Sequence, residues 1–194
     1  EDEIRVVGRV AFDAAEYAAT TGHRVARAVG EWYYATGNYH ILSRELRISI
    51  VGPHLNTASE HPAQLEYADY PWARVFGAIG AESFVCERDA RGNLLFGTSC
   101  WATQRDWLKL GVLMLGRGIG PGGEQVVPPW AVADLFGDAK GYGENSHYIY
   151  GWYRLDRLLN WNLCGPILAA IGIGGNYLVV VPEQDVVLLR MSWK

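Results

Sequence analysis

The side chains best able to do chemistry crowd into Trp32-Tyr33-Tyr34-Ala35-Thr36-Gly37-Asn38-Tyr39-His40. Tyr34 and Thr36 stand two residues apart, so an extended or turning backbone points both toward one space. A tyrosine held that way carries protons when a cationic neighbour lowers its pKa. The competing reading is plain packing. Eight tryptophans and eleven tyrosines can fill a core as readily as they line a cleft for an amide, an ester or a sugar.

The elements that must position this segment are legible in outline. Residues 12–21 read as a short helix stopped by Gly22. Tyr39 to Leu46 reads as a second helix with Ile41, Leu42 and Leu46 as its apolar face. Residues 47–72, with Pro53, Pro62 and Pro71, read as irregular apart from a short helix near Gln64–Asp69. Residues 83–101 read as two strands around the turn Asp89-Ala90-Arg91-Gly92-Asn93. Thr103 and Asp106 form a capping-box-like pair for a helix that places Trp107, Leu110, Gly111 and Met114 on one face. Gly111 inside that helix suggests a close helix contact. Gly116 and Gly118 end it, and Pro129 starts another short helix. Tyr148–Leu155, Ile167–Ile171, Tyr177–Val181 and Val186–Met191 read as strands, the last two joined by a turn at Pro182–Asp185. Helices over about 10–140 and an antiparallel meander over about 148–191 predict one α+β domain spanning 1–194.

Composition removes several function classes. A length of 194 residues with 49% hydrophobic and 20% charged side chains describes a folded globular chain. A net charge of −4 without a basic stripe argues against nucleic acid as a partner. No apolar run reaches the roughly 18 residues of a membrane span. The three cysteines, Cys86, Cys100 and Cys164, lack metal-ligand spacing and read as buried free thiols. His23, His40, His54, His61 and His147 form no ligand pattern, so no metal is expected; His40 reads as a buried or capping imidazole. The loop Gly116–Gly123 lacks the Lys-Ser/Thr pair and preceding strand of a phosphate cradle. Asp13/Glu16 and Glu183/Asp185 read as solvated acids and not a glycosidase pair. No cofactor is implied.

Four segments in this order look like the C-terminal part of serine β-lactamase-like, penicillin-binding-protein-like hydrolases: YATGNYHIL (34–42), GNLLFGTSCWATQRDWLKLG (92–111), YGWY (150–153) and IGIGGNYLVVVPEQDVVLLR (171–190). The Ala-Thr-x-Arg-Asp-Trp helix start and the Gly-x-Gly-Gly-Asn stretch resemble its esterase and 6-aminohexanoate-oligomer hydrolase branch. The resemblance implies a β-lactamase/transpeptidase-like fold acting on a small ester or amide through an acyl-enzyme. It matches Tyr34 to the family's proton-carrying tyrosine, with Tyr33 as competitor, and Thr36 to the third position of that motif. It matches Ile173-Gly174-Gly175 to the triplet of the edge strand and makes the N–H of Asn176 the oxyanion donor. The triplet's usual basic residue is absent, which disfavours β-lactams. Trp152 and Tyr153 are candidate acyl-pocket walls, a core role for Trp152 being the alternative.

One part of that machinery is missing. None of Ser43, Ser49, Ser59, Ser83, Ser99, Ser146 and Ser192 has a lysine three residues later, and no Gly-x-Ser-x-Gly elbow occurs. The resemblance therefore implies a nucleophile supplied from a missing N-terminal segment or a second chain. The alternative is a pseudoenzyme or ligand-binding module of the same fold. By the same comparison the sheet lacks a covering helix, so apolar surface over Tyr177–Met191 is expected to promote association. Nothing separates a cytoplasmic from a periplasmic location.

Overall fold

A computed structural model describes residues 13–21, 34–52, 62–137, 147–160 and 165–192. They are mixed helix and antiparallel sheet. The chain divides into two compact units: 13–21, 34–52, 62–73 and 83–102 in the first, and 74–82, 103–137, 147–160 and 165–192 in the second.

The first unit is built from α1 (Ala14–Thr21), α2 (Thr36–Val51) and α3 (Pro62–Pro71). Helix α1 packs on α2 and α2 on α3. The α1–α2 crossing is close because Gly37 has no side chain: a Cβ there would stand 2.7 Å from Ala18 Cβ. Two short strands follow, β1 (Val85–Cys86) and β2 (Cys100–Trp101), paired Cys86 to Cys100. The expected turn between them is present. Asp89 Oδ1 accepts from the N–H groups of Arg91 and Asn93, each at 2.9 Å.

Helix α2 departs from expectation. It begins at Thr36 and runs to Val51, not from Tyr39 to Leu46. Its buried side is Thr36, His40, Ser43, Arg47 and Val51, whereas the expected apolar face leaves Leu42 exposed and Ile41 and Leu46 half-buried. A polar stripe buried at i, i+4 spacing must find hydrogen bonds within the fold. Ser43 and Arg47 do so, through the Leu94 carbonyl and Asn93 Oδ1.

In the second unit, α4 (Gln104–Leu115) starts as the sequence predicts: the Thr103 hydroxyl accepts from Asp106 N–H at 3.3 Å. Lys109 pairs with Asp106 at 2.7 Å and also reaches the Gly80 carbonyl. A short helix, α5 (Pro129–Phe136), follows. The sheet runs in chain order: β3 (Tyr148–Ile149), β4 (Trp152–Arg154), β5 (Leu168–Gly172), β6 (Asn176–Val181) and β7 (Val186–Arg190), all antiparallel. The expected single strand over Tyr148–Leu155 is instead a hairpin, broken at Tyr150-Gly151, whose φ values of 48° and 88° form the two-residue turn. A one-turn helix, α6 (Leu155–Leu158), leaves β4.

Gly111 does permit a close contact, but with the sheet. A Cβ there would collide with Val187 Cγ1 and stand 3.0 Å from Leu178 Cδ1. Helix α4 thus lies on the face carrying Leu178, Val180, Val187 and Leu189. The core beneath is Met114, Leu135, Ile149, Leu168 and Val180. The cross-strand pairs Val179–Leu188 and Ile171–Tyr177 lie on the opposite face, where Leu188 and Ile171 are exposed. Arg154 is buried yet fully occupied: it grips Asp156 through Nε and Nη2 at 3.0 and 2.8 Å and donates to the Leu135 and Gly137 carbonyls. Burial alone would push the Asp156 carboxyl up, but Arg154 and the Ile167 N–H hold it below the usual carboxylate range.

Candidate functional sites

In the first unit Tyr34 precedes α2 and Thr36 opens it, with extended backbone at Ala35 between them (φ −145°, ψ 128°). The two side chains meet different surroundings. Tyr34 is 37% exposed and its ring lies 6.2 Å from that of Tyr39, tilted by 46°. Thr36 is buried. A Cβ on Gly97 would stand 3.0 Å from both Thr36 Cγ2 and the Thr36 carbonyl, so the loop before β2 presses on the first turn of α2. Tyr33, the competing tyrosine, lies outside the described residues.

In the second unit Gly174, Gly175 and Asn176 close the β5–β6 hairpin. Gly174 and Gly175 have φ of 78° and 83°, the left-handed region that glycine takes without a Cβ clash. The Asn176 side chain holds the turn: its Nδ2 donates to the Ile173 carbonyl at 2.7 Å and its Oδ1 accepts from Ser192 N–H at 2.9 Å. Ile173, where the resembled families carry a basic residue, is 80% exposed at the tip. Trp152 is half-buried and packs against the core of Met114, Leu135, Ile149, Leu168 and Val180, which gives it a packing role. The Gly174–Asn176 turn is thus one local cluster, and Tyr34–Thr36 is another in the other unit.

Sequence reasoning missed a buried polar network in the first unit. Ser43 Oγ donates to the Leu94 carbonyl at 2.6 Å and lies 2.8 Å from the Tyr67 hydroxyl, which also accepts from Leu94 N–H at 2.9 Å. Arg47 Nε donates to Asn93 Oδ1 at 2.7 Å, and Asn93 Nδ2 to Asp89 Oδ2 at 2.9 Å. Asp89 Oδ2 also accepts from Ala14 N–H at the start of α1. Burial pushes the Tyr67 phenol up, so it stays protonated at neutral pH. One clasp therefore ties the 87–99 loop to α1, α2 and α3.

His40 sits on the buried side of the same helix, 1% exposed, with neither ring nitrogen hydrogen-bonded. Burial pushes its pKa down; the charge of Asp89 opposes this without overcoming it. It is a neutral, packed imidazole.

The cysteine expectation is corrected. Cys86 and Cys100 form a disulfide across the β1–β2 pair. The signal was available, since the two cysteines stand on strands predicted to pair. Cys164 lies outside the described residues. Among the described residues no group of His, Cys, Asp and Glu could hold a metal ion, and no helix is long and apolar enough to cross a membrane.

No protein-family model matches this chain, and no match was found among curated proteins.

Proposed function

We propose that this chain is part of a serine hydrolase that cleaves ester or amide bonds through an acyl-enzyme, its nucleophile coming from residues outside 1–194. The observation that carries the reading is the position of Tyr34. It is a partly exposed phenol directly before a helix whose first turn is fixed by burial of Thr36 and His40. A proton carrier needs that combination of solvent access and an anchored backbone. In this reading Tyr34 takes the proton of the attacking serine and returns it to the leaving group. The four ordered sequence segments supply the remaining support.

A pseudoenzyme or ligand-binding module is the second reading, favoured by one observation: no serine of the chain has a lysine three residues later. It predicts binding without turnover. The two part on a short-chain p-nitrophenyl ester assay of the complete gene product. Turnover supports the hydrolase, and its absence in a folded product supports the module.

A further inference from the structure

We infer that Trp130, Asp134 and Tyr150 form a surface site for a quaternary ammonium group. This inference lies within the second unit and does not rest on the hydrolase reading. Trp130 and Asp134 are four residues apart on α5 and so share a face. Tyr150, from the β3–β4 turn, stands beside both. Its ring meets that of Trp130 at 87° with centroids 5.8 Å apart, and its hydroxyl donates to Asp134 Oδ2 at 2.6 Å.

Three features set this corner apart from ordinary packing. Both aromatic side chains are largely exposed, Trp130 at 62% and Tyr150 at 58%, so their burial is not what holds them there. Tyr150 has φ of 48° in a turn that favours Asn or Gly at that position. A tyrosine kept in a left-handed conformation is the kind of outlier that accompanies a built surface. Asp134 lies in the last turn of α5, where the helix dipole already favours positive charge and no basic residue is present. Among the described residues its one side-chain partner is the neutral Tyr150 phenol, whose pKa is raised first by that same hydrogen bond. Among the described residues no cation pairs with this carboxylate, which stands beside two aromatic rings. Arg117, which lies 3.8 Å from the centre of the Phe136 ring, sits over a residue on another side of the helix.

Two largely exposed aromatic rings in edge-to-face contact, with a carboxylate beside them, are complementary to a soft cation with an apolar shell, which a methylated ammonium provides. A neutral alkyl group would gain nothing from Asp134, and a small hydrated cation would lose its water against the rings.

Amide and indole spectra of the chain, titrated with tetramethylammonium chloride, test this. Sodium chloride serves as the ionic control and neopentyl alcohol as the neutral isostere. The expected result is saturable shifts at the Trp130 indole and the Tyr150 and Gly151 amides with tetramethylammonium only. Asp134→Asn, which keeps an acceptor for the Tyr150 hydroxyl, and Trp130→Leu should each weaken binding about threefold or more. Trp130 is outside the core, and unchanged amide shifts elsewhere verify that each variant is folded. No saturation, an equal response to neopentyl alcohol, or unchanged affinity in either variant overturns the inference.

Discussion

Arg47 Nε donates to Asn93 Oδ1 across 2.7 Å with both side chains buried. A helix therefore exchanges its expected apolar contact for a hydrogen bond from a guanidinium to a loop amide. Asn93→Ala leaves that guanidinium without its acceptor and also removes the Asn93–Asp89 bond. The expected loss is about 2–3 kcal/mol in the unfolding of the first unit. Urea titration followed by amide exchange of α2 measures it. Leu42→Ala on the exposed side of α2 should change the same transition by less than about 0.5 kcal/mol.

His40 makes the first unit sensitive to acid. The folded-state pKa is depressed, so the unfolded chain binds the proton first. Above the ordinary histidine value of about 6.5 the imidazole is neutral in both states and contributes nothing to pH dependence. As pH falls below that value the unfolded state gains, and stability drops by up to roughly 1.4 kcal/mol per pH unit until the folded pKa is reached. Comparing urea midpoints at pH 7.5 and 5.5 for the wild type and His40→Leu checks this. The variant should lose less between the two pH values; equal losses would sink the assignment.

Gly111→Ala sets helix propensity against packing. The exposed-helix gain is roughly 1 kcal/mol. The added methyl collides with Val187 Cγ1, on a β-branched side chain that cannot swing aside, and crowds Leu178. Overpacking costs about 1–3 kcal/mol, so the net effect is destabilising. A higher melting temperature of the second unit would contradict the contact.

The Cys86–Cys100 bond closes the loop that carries the Asp89–Asn93–Leu94 clasp. In the unreduced chain neither cysteine should react with iodoacetamide. After reduction both should, as seen by peptide mass. Cys86→Ser/Cys100→Ser should lower the stability of the first unit by about 2–4 kcal/mol. Alkylation of either cysteine before reduction would show the pair to be free thiols.

What was legible follows from how local the signal is. The Thr103 cap, the Asp89–Asn93 turn and the Val-rich strands β6 and β7 depend on neighbours in sequence, and the chain announces them. Helix α2 does not. Its buried stripe is Thr36, His40, Ser43, Arg47 and Val51, and only partners far along the chain, Tyr67, Asn93 and Leu94, make that stripe the inner one. The break at Tyr150 was hidden because a tyrosine at positive φ carries no local cue, although Gly151 beside it did. For the candidate site, sequence could nominate Tyr34 and the Gly174–Asn176 turn. It could not show that Tyr34 is partly exposed while Thr36 is buried, nor that Trp152 belongs to a core.

The role proposed for Tyr34 is proton transfer in ester or amide hydrolysis. The direct measurement is kcat/KM for p-nitrophenyl acetate with the complete gene product and its Tyr34→Phe variant. Loss of a general acid–base of this kind predicts a fall of roughly 10²–10⁴-fold with the melting temperature unchanged. Turnover that survives Tyr34→Phe intact would contradict the role assigned to that residue.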